Sequence, residues 1–231
     1  VHRSHSGRYG IVNSEEGYQN LQRFLFGDLK IQVELVGFTV GRAAPPEVEF
    51  QLDVGLAIRG LPVLVHEQSA AHFCPVQIEH WKEGDPIDSP VPLLTTFLSS
   101  KAPRPRVGGR EVPRLRHALK LRLMSITEKE GHFFFDDHME QTEDWQDTLL
   151  VDIEAPSAGR PLPKAWAAWN STIPTALRDW NPGHDDQLKD TDSTPERWQG
   201  RIDVPEFAKA LLGVHAGIRL TVTPRKLILS K

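Results

Sequence analysis

Between Val48 and Arg59 the chain alternates with a period of two. Val48, Phe50, Leu52, Val54, Leu56 and Ile58 share one side, and Glu49, Gln51, Asp53 and Arg59 the other. Successive side chains of an extended strand point to opposite faces, so this run predicts a half-buried antiparallel strand with its polar side in water.

The same pattern recurs. Ile31, Val33 and Leu35 alternate with Lys30, Gln32 and Glu34, and similar runs cover Phe73–His80, Leu93–Leu98, Ala118–Glu128, Leu149–Glu154, Arg201–Val204 and Gly217–Thr223. At least seven strands separated by Pro/Gly-rich turns, with few helical patterns, predict a mainly β fold, an antiparallel β-sandwich. The helical competitor inside this region is Pro205–Leu212, a short segment opened by proline. Pro103–Pro113, Ala155–Pro163 and Ser171–Arg197 read as loops, the last with a turn at Asn181-Pro182-Gly183. Loops of this length are functional or disordered in most compact domains.

The opening segment follows a different period. Asn13 or Ser14 is a good N-cap, Asn13 and Glu16 have capping-box spacing, and Glu15 and Glu16 set negative charge at the positive end of a helix. Tyr18, Leu21, Phe24 and Leu25 then recur at three- and four-residue spacing, and Gly27 stands where a C-cap glycine belongs. A helix over about 14–26 follows, and the period switches to two after Asp28.

Composition removes several classes of function. With 39% hydrophobic and 25% charged residues and a net charge of −4, the 231-residue chain has no basic stripe suited to nucleic acid. No apolar run approaches the ~18 residues of a membrane span. The single cysteine, Cys74, excludes an internal disulfide and reads as a small buried hydrophobe. The sequence starts at Val1 without an initiator Met or a signal-peptide pattern, which reads as the loss of an upstream part and leaves localisation open.

His2 and His5 lie in a short loop, His5-Ser6-Gly7-Arg8-Tyr9-Gly10, just before the capped helix. In α/β-hydrolases the triad runs Ser, acid, His along the chain, and a loop can present both imidazole nitrogens, one to the serine and one to the acid. The segments His2–Ser14 and Tyr18–Asp28 resemble the C-terminal end of bacterial α/β-hydrolase esterases of the lipase-like kind. The resemblance is specific over residues 1–28. It implies that 1–28 is the end of an α/β-hydrolase domain (His loop and last helix), that 29–231 is an accessory β-sandwich, and that an upstream hydrolase domain of the same protein is the partner. It further implies serine-dependent hydrolysis of an ester or lipid substrate, with His5 as the triad histidine and His2 as the alternative. The competing reading makes both of them surface loop histidines.

The chain departs from that pattern in having no Gly-x-Ser-x-Gly elbow. Ala155-Pro156-Ser157-Ala158-Gly159 comes nearest, but Pro161 and Pro163 forbid the helix that must follow a nucleophile, and its order relative to His5 is reversed. It reads as a turn, and the serine and acid are expected upstream. No cofactor is required by this chemistry.

Two further groups invite binding. Asp136, Asp137 and Glu140, extended by Glu143, Asp144 and Asp147, place carboxylates at a sandwich edge, with Asp185, Asp186, Asp190 and Asp192 as further oxygen donors for calcium. His132, Asp136 and His138 would share a strand face suited to zinc. The Asp-x-Asp-x-Asp-Gly grammar of a calcium loop is missing and nothing fixes a fourth zinc ligand, so a solvated acidic edge that discourages strand pairing is the better account of these residues than a metal site. Trp169 and Trp180, with Trp166 and Trp198, are platforms for sugar, lipid or a partner, or else cover the sandwich edge. The alternative to an esterase fragment is therefore a non-catalytic C2-like or carbohydrate-binding-like module.

Overall fold

A computed structural model describes residues 15–39, 47–58, 64–72, 74–78, 89–100, 106–107, 110–111, 113–129, 138–192, 194 and 196–225. Helix α1 (Glu15–Phe26) leads into strand β1 (Leu29–Val36), and then come β2 (Val48–Ile58), β3 (Leu64–Gln68), β4 (Val76–Ile78) and β5 (Val91–Leu98). A small ribbon, β6 (Arg106–Val107) with β7 (Arg110–Glu111), precedes the two longest strands, β8 (Arg114–Lys129) and β9 (His138–Glu154). The chain ends with β10 (Lys164–Trp169), β11 (Trp198–Asp203), helix α2 (Glu206–Leu212) and β12 (Gly217–Pro224).

The strands form two main antiparallel sheets. Sheet A has the order β11-β12-β1-β5, and sheet B the order β10-β9-β8-β2-β3, with β4 also paired to β2. Alternation decides which side chains meet between them. Ile31, Val33 and Leu35 of β1 and Ile218, Leu220 and Val222 of β12 face Leu52, Val54 and Leu56 of β2, Leu119, Leu121 and Leu123 of β8, and Leu149, Val151 and Ile153 of β9 in one apolar core. Two half-buried sheets joined through such a core make the mainly β sandwich expected from the sequence.

Agreement is close where the alternation is clean. α1 starts one residue inside the expected 14–26, β2 matches Val48–Arg59 to within a residue, and α2 falls on the proline-initiated segment. Other elements differ. β3 and β10 were not expected, Phe73–His80 reduces to the three residues of β4, and β9 begins at His138 rather than near Leu149. The first half of β9 hides its period because the pairing with β8 slips between Leu123 and Met124, where Asp144 is the additional residue of a bulge. The stretch Ala155–Pro163 does hold a turn. Ser157 and Arg160 exchange backbone hydrogen bonds of 3.0 and 2.9 Å around Gly159, whose φ of 81° suits glycine.

The two open sides of the sandwich are closed differently. On one side lie the edge strands β10 and β11. Backbone hydrogen bonds from Ala167 to Asp186 (3.1 Å) and from Leu188 to Ala165 (2.9 Å) tie residues 186–188 to β10, and Thr191 N donates to Gln199 O of β11 at 2.7 Å. The segment 186–191 is thus a strap across both edges. Trp169 adds a cross-link, its indole Nε1 donating to Asp203 O at 2.8 Å. On the other side lie β5 and β3, and α1 packs against both of them.

Candidate functional site

α1 sits on its edge in an inverted orientation. A surface helix ordinarily buries its apolar stripe. Here Tyr18 (58% exposed), Leu21 (54%), Leu25 (39%) and Phe26 (53%) face solvent. The side toward the sandwich carries Asn20 and Arg23, whose guanidinium Nη2 donates to Asn20 Oδ1 at 2.8 Å. Burial pushes the Arg23 guanidinium down from the usual arginine range, and its Nη1 is buried with no hydrogen-bond partner among the described residues.

The end of the helix is held firmly. Gly27 N donates to Arg23 O at 2.7 Å, and a Cβ on Gly27 would lie 2.7 Å from the Cβ of Phe97. Only glycine lets the chain turn this close to β5. Phe24 meets Phe97 edge-to-face at 5.3 Å, and the Arg225 guanidinium lies 5.0 and 4.8 Å from the two rings while donating to Phe24 O. The Asp28 carboxylate accepts from Ser100 N at 2.6 Å and from the Ser100 hydroxyl. The apolar stripe is therefore presented by an anchored helix, a geometry that suits a protein interface.

A second polar construction lies on the outer face of sheet B. Arg116 and Asp152 form a bidentate buried pair, with Nε–Oδ1 2.7 Å and Nη2–Oδ2 2.8 Å. The same guanidinium donates to the carbonyls of Trp180 (2.8 Å) and Leu177 (3.3 Å) and lies 4.8 Å from the Trp180 ring. Arg114 lies 3.8 Å from the Trp166 ring centre. Further along β8, Arg122 pairs with Asp53, which also accepts from Ala70 N at 2.7 Å. Loop 170–182 closes over Leu150, Trp166 and Trp180 as a small second core. These charges are matched, and they fix the loop to the sheet.

The residues singled out from the sequence take different places. His2, His5, Asp136, Asp137 and His132 lie outside the described residues. Glu140 stands exposed on the first half of β9, where β8 is a neighbour on one side and β10 does not reach. Trp169 is 4% exposed and packs edge-to-face on Trp145 at 5.7 Å, and Trp180 is 9% exposed over Arg116. Both rings serve packing in this state.

The acidic loop residues are engaged locally. Asp147 accepts from Thr148 N (2.7 Å), Ser171 N (3.3 Å) and the Ser171 hydroxyl, pinning the loop to β9. Asp186 accepts from Gly183 N at 2.8 Å, and Asp190 from Asp192 N and Gln199 N at 3.0 Å each. Asp192 pairs with Arg197 and accepts from Thr194, which holds its carboxyl at about 2. Among the described residues no group of three His, Cys, Asp or Glu side chains converges as a metal site would.

Beside the strap an open groove of about 780 Å³ is lined by Arg160, Leu162, Lys164, Leu188, Lys189 and Trp198, among others. Among the described residues no helix is long and apolar enough to cross a membrane. No protein-family model, curated protein or solved structure matches this chain.

The inverted helix was half legible in the sequence. The stripe Tyr18, Leu21, Leu25 is visible in its spacing, but spacing cannot say which way the stripe faces. The one signal was Arg23, a long cation three residues from Asn20 on the face opposite the stripe.

Proposed function

We propose that this chain is the C-terminal part of a serine esterase or lipase of the α/β-hydrolase type, in which the outer face of α1 packs on an upstream catalytic domain and the sandwich is an accessory module. The supporting observation is the anchored helix that turns Tyr18, Leu21, Leu25 and Phe26 outward. A last helix that belonged to the catalytic domain would bury this stripe there, in agreement with the resemblance of residues 1–28. His5, or His2, would accept the proton of an upstream serine, and that domain would bind the ester or lipid substrate.

The test is fluorophosphonate labelling of the full-length protein with His5→Ala and His2→Ala beside it. Labelling by the wild type, with turnover lost in His5→Ala, supports the assignment. Turnover retained in both variants removes these histidines from the mechanism, and an upstream sequence lacking a Gly-x-Ser-x-Gly elbow sinks the hydrolase reading.

The second reading, a non-catalytic binding module, is favoured by the open groove beside the strap, whose lining mixes Lys164 and Lys189 with Asp185 and Asp190. A full-length protein that takes no label but binds a soluble polysaccharide, with loss of binding in Lys164→Ala with Lys189→Ala, would favour it instead.

A further inference from the structure

The inner face of β8 is a leucine row with one interruption. His117 takes the inward position between Leu115 and Leu119, where it is 4% exposed and lies between the two sheets. Neither ring nitrogen has a hydrogen-bond partner among the described residues. The ring lines a cavity of about 20 Å³ whose walls come from both sheets, with Ile31 and Leu94 from sheet A and Leu56 and Val151 from sheet B. Thr96 is the other polar residue of this lining, and the volume admits about one water. An imidazolium held there would have neither a carboxylate beside it nor a hydration shell.

The charged side chains of the lining strands alternate to the outer faces and pair there: Arg116 with Asp152, Arg122 with Asp53, Arg219 with Glu34 and Arg201 with Asp203. Lys30 of β1 and Lys120 of β8 alternate outward as well, and β5 carries no ionisable side chain. Two titratable groups share the inner side. Asp147 of β9 is engaged by Ser171, and His66 of β3, opposite Leu56, is half-buried and bonded to Gln68 Oε1 at 2.9 Å. The carbonyls of Leu115 and Val151 and the charge of Asp152 favour a proton on the His117 ring and Arg23 opposes it, but burial outweighs them.

We propose that His117 makes the contact between the two sheets an acid-sensitive joint: a proton on the ring is accommodated only when the sheets part, so acid favours the opened sandwich. Parting gives the imidazolium water, whereas the closed joint would hold an unpaired charge among aliphatic side chains. The joint is built from strands of both sheets and holds whether or not a hydrolase domain precedes them.

The sign follows from the two states. In the opened state the ring titrates near the ordinary histidine value of about 6.5, whereas between the sheets burial lowers this to about 4. Above about pH 6.5 the ring is neutral in both states and closure carries no acid cost. As pH falls from there to about 4, the opened state binds the proton first, and closure weakens tenfold per unit, up to about 300-fold in all. Below about pH 4 both states carry the proton and the loss levels off.

Urea unfolding of this chain at a series of pH values tests the joint, and hydrogen exchange locates the opening. Between about pH 6.5 and 4 the folding equilibrium constant of the wild type is expected to fall up to about 300-fold further than that of His117→Leu, a difference from which the shared carboxylates cancel. Amide protection is expected to fall together in β12 of sheet A and β2 of sheet B. An equal pH dependence in His117→Leu overturns the proposal, and so does a loss of protection confined to one sheet or to α1. A pH dependence that disappears in His66→Gln also overturns it, because the edge histidine would then be the trigger. If His117→Leu does not fold, imidazole NMR of the wild type decides. A His117 ring that titrates near 6.5 in the folded chain overturns the joint, and one that stays neutral down to the pH at which the sheets open supports it.

Discussion

The two sides of this sandwich solve one problem in opposite ways. Edge strands expose backbone donors and acceptors, and a protein must pair or cover them. On the β10/β11 side the solution is directional: a strap hydrogen-bonded to both edges, the Trp169–Asp203 cross-link, and the Arg116–Asp152 pair that fixes the loop running into the strap. On the β5/β3 side a helix lies across the gap with Asn20, Arg23 and Phe24 toward the sandwich and Tyr18, Leu21, Leu25 and Phe26 outward. The first side is closed by backbone and side-chain hydrogen bonds, though Trp145 Nε1 and Arg160 Nε are buried there without a partner among the described residues. The second is sealed but leaves unmatched groups beneath the seal and an unmatched apolar face above it.

This contrast breaks first at Arg116. Arg116→Ala strands a buried carboxylate and frees the carbonyls of Leu177 and Trp180, so a loss of about 3–5 kcal/mol in denaturant-derived stability is expected. The double replacement Arg116→Met with Asp152→Leu should recover most of that loss, because buried ion pairs contribute little over well-packed apolar residues of similar volume. An Arg116→Ala protein as stable as wild type would show that the loop is not fixed through this pair.

A smaller effect is expected at the cross-link. Trp169→Phe keeps an aromatic ring against Trp145 but removes the Nε1 donor to Asp203 O. A loss of about 1–2 kcal/mol is expected, with faster amide exchange at residues 198–203. Unchanged exchange there would mean that the backbone strap alone closes this side.

How much of the contrast was legible in the sequence depends on periodicity. β1, β2, β5 and β12 announce themselves because each has one face in the core and neighbours on both long sides or a short regular span. β10 does not, because Lys164-Ala-Trp-Ala-Ala-Trp169 buries side chains on both faces: Trp169 toward the main core and Trp166 beneath the 170–182 loop. The acidic half of β9 reads as a loop because its exposed length and the bulge at Asp144 erase the alternation. The stripe of α1 was evident from its spacing, whereas its outward direction is a tertiary fact fixed by Gly27, Phe97 and Arg225 far apart in sequence. His117 gave no signal at all. It occupies an inward position of β8 between Leu115 and Leu119, where alternation predicts a hydrophobe.

The smallest expected effect sharpens the comparison most. Replacing Tyr18, Leu21 and Leu25 together by Gln retains good helix propensity at each position and removes the stripe. Because these side chains are 58%, 54% and 39% exposed, the stability of this chain should change by no more than about 0.5 kcal/mol. A stripe packed on the sandwich would instead cost about 2–5 kcal/mol per large residue, as buried leucines do. On the proposed function, in which α1 packs on an upstream catalytic domain, the same triple variant of the full-length protein is expected to let the sandwich unfold independently of that domain. A large loss in the isolated chain would place the stripe on the sandwich. Cooperative unfolding of the full-length variant, unchanged from wild type, would remove α1 as the interdomain contact.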